Sequence, residues 1–148
     1  MGIFYNLFHK DKDIELRGCS LYLELSKLDY IISDILSDNN NYGTVFEKII
    51  DGYYCNIFIA QRKIVLTVFF DLDDKTFKEL LNTVIDKLFK EHTWCGRNFI
   101  EDRIKFNKFH KTENIDNQLR ELIEVVKKEK FPPQLEEKVV LLRNQELK

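Results

Sequence analysis

The dipeptide Asp51-Gly52 is the feature that most constrains how this chain can fold. It separates two apolar runs, TVFEKII (44–50) and YYCNIFIA (53–60). Two-residue hairpin loops favour Asp-Gly because a type I′ turn needs a positive φ at both central residues. The dipeptide therefore predicts an antiparallel hairpin with strands at 44–50 and 53–60.

A third strand is predicted at 64–71, immediately after the hairpin. The segment Ile64–Phe70 is nearly all apolar, which is typical of a central strand buried on both faces. The three strands would form an antiparallel meander. The assignment of 44–50 stays open, because Thr44-x-x-Glu47 also has the spacing of a helix capping box.

Apolar residues at helical spacing predict three helices in the second half of the chain. The most regular stripe, from Phe77 to Phe89, gives a helix over 74–92 with Asp73 and Asp74 at its amino end. A second helix is expected over 115–129 and a third, after Pro132-Pro133, over 134–146. The carboxy-terminal third should therefore be helical.

Two further elements are predicted nearer the amino terminus. The segment Ile14–Leu25 alternates apolar and polar residues over much of its length, which predicts one strand, or two short strands interrupted near Gly18. From Leu25 to Leu36 the apolar spacing is helical, and Ser26 with Asp29 resembles a capping pair for that helix.

Together these elements predict an α+β fold in a single domain spanning residues 1–148. The expected architecture is a small antiparallel β-sheet of three to five strands packed against α-helices. A chain of 148 residues that is 44% hydrophobic and 32% charged can form one continuous core.

The chain carries no visible signal for export or for a membrane. Its first residues lack a basic leader and a long apolar stretch, and no apolar run approaches the roughly 18 residues that a membrane span needs. Cys19, Cys55 and Cys95 are odd in number and widely spaced, which favours buried reduced thiols over a disulfide framework. We therefore expect a cytoplasmic protein, with no membrane partner and no cofactor.

The stretch VFFDLDDKT (68–76) raises the question of catalysis. An apolar strand ending in Asp-x-Asp, with a threonine close behind, resembles the first motif of the haloacid-dehalogenase-like phosphatases. The resemblance implies a nucleophilic Asp71 and a general acid–base Asp73 beside Mg²⁺, on a sheet with later parallel strands. The alternative interpretation is that both aspartates close a strand and cap the following helix.

Two other segments combine residues that can carry chemistry. His92 and Cys95 are three positions apart, and we interpret them as a histidine at a helix terminus and a buried cysteine. The segment 96–111 interleaves aromatic and basic side chains, as proteins that hold single-stranded nucleic acid do. Alternation over 103–109 is equally typical of an amphipathic edge strand. The residues of the nucleic-acid interpretation are Arg97, Phe99, Arg103, Lys105, Lys108 and Lys111.

The lack of a convincing catalytic set favours a non-enzymatic protein that binds another protein. Within that class we expect a bacterial immunity protein, an antitoxin that neutralises a basic toxin or nuclease by direct binding. Residues 1–51 carry nine acidic and five basic residues, a net charge of −4, and complementary charge speeds association with a basic partner. The expected contact residues are Asp29, Asp34, Asp38, Asp71, Asp73 and Asp74. The alternatives are a nucleic-acid-binding regulator and a Mg-dependent phosphohydrolase.

Overall fold

The computed structural model describes residues 20–32, 43–60, 63–105 and 112–134. These residues form four helices and six strands: α1 (Ser20–Lys27), β1 (Ile31–Ile32), β2 (Thr44–Ile50), β3 (Tyr53–Ile59), β4 (Lys63–Phe69), α2 (Asp74–Leu80), α3 (Val84–Glu91), β5 (Trp94–Cys95), β6 (Phe99–Lys105) and α4 (Thr112–Lys128). The strands make one antiparallel sheet in the order β1-β2-β3-β4-β6-β5. The predicted α+β fold is confirmed, with more strands than expected because β1 and β5, of two residues each, extend the sheet.

The hairpin predicted from Asp51-Gly52 is also confirmed. Asp51 has φ 53° and Gly52 has φ 86°, as the type I′ turn requires. The turn pairs Ile50 with Tyr53 and fixes the register of β2 and β3 as far as Thr44 and Ile59. The segment 44–50 is therefore a strand, and its capping-box spacing is not used for a helix.

One face of the sheet carries the core. The register aligns Phe46, Ile57 and Leu66 in a row across β2, β3 and β4, and all three are at most 1% exposed. Helix α4 contacts β4, and its apolar residues belong to the same buried cluster as this row. The predicted buried positions of α4 are confirmed: Leu119, Leu122, Ile123 and Val126. We call this side of the sheet the helix face.

The opposite face carries a polar row at the same level. Glu47, Asn56, Thr67 and Glu101 are cross-strand partners in β2, β3, β4 and β6. Glu47 is only 5% exposed, and its carboxylate accepts a hydrogen bond of 2.7 Å from the Tyr54 hydroxyl. Strand β4 is therefore central and buried on both sides, as its apolar sequence predicts.

The amino-terminal predictions are wrong over the described residues. Leu21, Tyr22 and Leu25 are buried on one side of helix α1, whereas Leu23 is 60% exposed, so the run is helical rather than an alternating strand. The helix ends at Lys27 instead of continuing to Leu36, since Asp29 has φ 69° and β1 follows it. The expected capping role of Ser26 is also wrong, because its hydroxyl donates to the Tyr22 carbonyl.

The helix expected over 74–92 is two helices. The N–H and the hydroxyl of Thr83 both donate to the Leu80 carbonyl, at 3.1 and 3.3 Å. Such local hydrogen bonds compete with the regular helical pattern and separate α2 from α3. The strand expected within 103–109 lies instead at 99–105, and the expected helix over 134–146 falls almost entirely outside the described residues.

A buried polar network joins the start of the sheet to α4. The Tyr30 hydroxyl donates to Asp116 at 2.6 Å, and the Arg120 guanidinium donates to the other carboxylate oxygen at 2.8 Å. Tyr30 is 3% exposed and Asp116 is 8% exposed. Burial, together with this hydrogen bond, raises the pKa of the Tyr30 phenol well above its ordinary value, so the phenol remains a donor at physiological pH.

The variant Tyr30→Phe should destabilise the protein by about 1–3 kcal/mol, because it leaves one oxygen of a buried carboxylate without its partner. Urea denaturation measures this loss. The same substitution made in an Asp116→Ala background should cost much less. An equal loss in both backgrounds would contradict the network.

Candidate functional site

A cavity of about 400 Å³ opens where the helix face of the sheet ends at β6. This volume lies within the range of roughly 300–1,000 Å³ that is usual for small-ligand sites. Strands β4 and β6, the end of α3 and one side of α4 enclose it. Its polar lining residues are His92, Asp102, Arg103, Gln118 and Glu121, and its apolar ones are Leu66, Ile104, Leu122 and Val125.

The strand register places Asp102 in this cavity. Asp102 is the cross-strand partner of Leu66, so it ends the buried row that begins at Phe46. Its neighbours on the same face of β6 are Ile100 and Ile104, because side chains two positions apart share a face. The row is apolar inside the core and changes to a carboxylate, 34% exposed, near the edge of the sheet.

His92 faces this carboxylate from the end of α3. Its backbone N–H donates to the Leu88 carbonyl at 2.9 Å, which ends the helix and fixes the residue's position. Its ring Nδ1 lies 2.9 and 3.0 Å from the two oxygens of Asp102. An ionised carboxylate only accepts hydrogen bonds, so Nδ1 carries the proton. In the neutral ring Nε2 is then an acceptor, and no residue in the described ranges bonds to it.

A further connection between α3 and β6 is made by Thr93. Its N–H approaches Asp102 at 3.4 Å, and its hydroxyl accepts a hydrogen bond of 2.9 Å from the N–H of Arg103. Strand β5 pairs with Ile100 and Glu101 of β6. The bond from Arg103 to the Thr93 side chain therefore joins the two segments two positions farther along β6. These hydrogen bonds connect the end of α3 to β6 beside His92 and Asp102.

His92 and Cys95, which are close in sequence, do not form a joint site. Cys95 is 3% exposed, and burial raises the pKa of its thiol to about 12. Burial also raises the pKa of the Cys55 thiol to about 12. Both thiols are therefore protonated and unreactive near neutral pH, as the sequence predicted for buried cysteines. Cys19 lies outside the described residues.

In a Cys19→Ser background, Cys55 and Cys95 should react with a thiol reagent at pH 8 only as fast as the protein unfolds. Their folded-state pKa lies above the unfolded value, so the folded protein contains almost no thiolate until the pH approaches 12. Both should react at once in denaturant. Rapid reaction of either thiol in the folded protein would contradict the burial.

Among the described acidic residues that the sequence proposed as contacts, Asp73 and Asp74 have partners for their carboxylates within the chain. Asp73 is the N-cap of α2, its carboxylate accepts a hydrogen bond of 2.7 Å from the Thr76 N–H, and this bond lowers its pKa. Asp74 forms an ion pair of 2.6 Å with Arg97. Asp71 donates its backbone N–H to the Pro132 carbonyl. The capping interpretation of this stretch is thus confirmed for Asp73.

The remaining acidic candidates lie elsewhere or are not described. Asp29 is exposed in the turn that connects α1 to β1. Asp34 and Asp38 lie outside the described residues. The sheet that contains β4 is antiparallel throughout the described ranges, whereas the phosphatase resemblance implies later parallel strands.

The described residues of the nucleic-acid interpretation lie partly in β6 and partly in the loop before it. Phe99, Arg103 and Lys105 occupy alternate positions of β6 and share one face, the one opposite the cavity's Asp102. Glu101 lies between them on that face and pairs with Arg103 at 3.4 Å. Arg97 instead donates to the Leu72 carbonyl and pairs with Asp74. Lys108 and Lys111 lie outside the described residues.

An exposed aromatic pair lies at the same corner as the cavity. Phe89 on α3 and Trp94 on β5 are 45% and 44% exposed, and their rings meet edge to face with centroids 5.2 Å apart. Gly96 leaves room for the indole, because a Cβ at this position would lie 2.9 Å from Trp94 Nε1. Much of the apolar surface of the pair therefore remains in water.

Comparison of the chain with protein-family models, curated proteins and solved structures finds no match. Over the ranges that the structure describes, no group of three or more His, Cys, Asp or Glu side chains could hold a metal ion. No described helix has the length and apolar content to cross a membrane.

Sequence reasoning missed the pairing of His92 with Asp102 and the aromatic pair. Ten positions separate the histidine from the aspartate, and the pairing of β5 with β6 brings them together. Trp94 could have been noticed as the single tryptophan of the chain, but its exposure depends on the break that ends α3.

Proposed function

We propose that this chain is a non-enzymatic, cytoplasmic protein that acts by binding a protein partner directly. The exposed Phe89–Trp94 pair carries this proposal. Aromatic side chains dominate the binding energy of many protein interfaces, because they bury a large area at a small entropic cost. A pair of exposed rings that contact each other edge to face, with room left for the indole by Gly96, is well suited to that role.

The charges around the pair support a selective interface. Lys90 and Asp86 form an exposed ion pair on α3, and Arg103 and Glu101 form another on β6. Such a mixed polar rim around an apolar centre resembles the usual composition of a protein interface.

Within this class we propose a bacterial immunity protein that neutralises a basic toxin. The acidic amino-terminal part of the chain supports a basic partner, and Asp29 provides an exposed carboxylate there. Asp73 and Asp74 already have partners in the chain, so we expect them to contribute less than Phe89 and Trp94.

The variants Phe89→Ala and Trp94→Ala should each weaken partner binding about tenfold or more, as expected when an interface anchor is truncated. The partner is first captured from host lysate with the tagged protein and identified by mass spectrometry, and its affinity is then measured by calorimetry. Leu81→Ala is the matched control, because Leu81 is also exposed, at 43%, but lies outside the pair.

Unchanged affinity in both aromatic variants would contradict the proposed surface. Recovery of nucleic acid without a protein partner, with affinity that falls steeply as salt increases, would instead favour the nucleic-acid-binding alternative. For the immunity proposal, co-expression with the partner should restore growth of cells that the partner alone arrests.

A further inference from the structure

Several polar groups that line the cavity beside His92 are hydrogen-bond acceptors. In the tautomer that donates Nδ1–H to Asp102, the His92 Nε2 is an acceptor. The Asp102 and Glu121 carboxylates accept, and Gln118 contributes one amide oxygen besides its donors. A ligand that satisfies this set must offer several donors.

The charge in the cavity favours a cation over a neutral donor. Two carboxylates line it, and its basic lining residues among the described side chains are His92, which pairs with Asp102, and Arg103. The Arg103 guanidinium already pairs with Glu101, whose position in β6 places it on the opposite face of the sheet from Asp102. Charge-assisted hydrogen bonds to carboxylates are stronger than neutral ones.

The apolar lining defines the rest of the ligand. Leu66, Ile104, Leu122 and Val125 line the same space, and Leu66 and Leu122 are each 1% exposed. A short alkyl chain can pack on them while a cationic end reaches the carboxylates, as the stems of lysine and arginine do on apolar surfaces.

From this arrangement we infer that the cavity binds the guanidinium or ammonium end of a short alkyl cation. Asp102 and Glu121 would accept hydrogen bonds from the cation, and His92 would accept one more through Nε2. This inference is independent of the proposed partner surface at Phe89 and Trp94. The cation can belong to a free compound or to a basic side chain of the partner.

The test is a titration with propylguanidinium, followed by the NMR signals of the Ile104, Leu122 and Val125 methyl groups. The signals should shift and saturate. Propylurea has nearly the same shape without the charge, and its affinity should be lower by about tenfold or more. Methyl shifts that do not saturate, or equal binding of both compounds, would overturn the inference.

Two variants assign the binding to the carboxylates. Glu121→Gln and Asp102→Asn should each weaken propylguanidinium about tenfold, since each removes a charged acceptor. Glu121 is exposed on α4, so this substitution leaves the core intact. Glu124→Gln is the matched control, because Glu124 is on the same helix but pairs with Lys127 and does not line the cavity. Equal weakening by Glu124→Gln would overturn the site.

The source of the cation follows from the partner assay. If Glu121→Gln also weakens binding of a captured protein partner, the cation is a basic side chain of that partner. If partner binding is unchanged while propylguanidinium binding is weakened, the cation is a free compound. Either result supports the cavity inference when the titration has shown saturable binding of propylguanidinium. Neither result requires that the partner bind at Trp94.

Discussion

The type I′ turn at Asp51-Gly52 is the constraint on which the rest of the structure depends. Positive φ angles at both residues bring β2 and β3 together in a single register. A shift of one residue in that register would exchange the two faces of the sheet and expose Phe46 and Ile57. The same turn is also tied to α4, because Lys127 donates to the Asp51 carboxylate at 3.2 Å.

The strand register also determines where the residues of the candidate site lie. Strand β4 pairs with β3 on one side and β6 on the other, so the row that starts at Phe46 ends at Asp102. Glu101 and Arg103 then fall on the opposite face and neutralise each other there. The polar lining of the cavity contains two carboxylates and one imidazole together with Arg103 and Gln118, and the core supplies its apolar wall.

Local signals in the sequence predicted the central part of the fold. The Asp-Gly turn, the apolar run of β4, the stripe of α4 and the cap at Asp73 each depend on residues a few positions apart. The predictions that were wrong involve competing local signals. Leu21, Leu23 and Leu25 alternate like a strand, yet Tyr22 and Leu25 complete the buried side of a helix. Thr83 interrupts the helix that a continuous apolar stripe predicts, because it bonds to the Leu80 carbonyl.

The candidate site could not be predicted in the same way. His92 and Asp102 meet through the pairing of β5 with β6, and Phe89 reaches Trp94 only because the chain turns sharply after α3. Neither pairing has a periodicity that a sequence alone reveals. Several of the described acidic and basic residues that the sequence did suggest are engaged within the chain, as Asp74 is with Arg97.

The measurement that tests this account most directly compares Gly52→Ala with Gly52→Asn by amide hydrogen exchange and urea denaturation. Gly52 has φ 86°, and nothing lies within 4 Å of a Cβ placed there, so only backbone strain distinguishes the variants. Alanine should cost about 1–2 kcal/mol and lower amide protection across β2, β3, β4 and β6 together, whereas asparagine, which tolerates positive φ, should cost less. Equal stability of wild type and Gly52→Ala, or a loss of protection confined to the turn, would contradict the claim that this turn sets the register of the sheet.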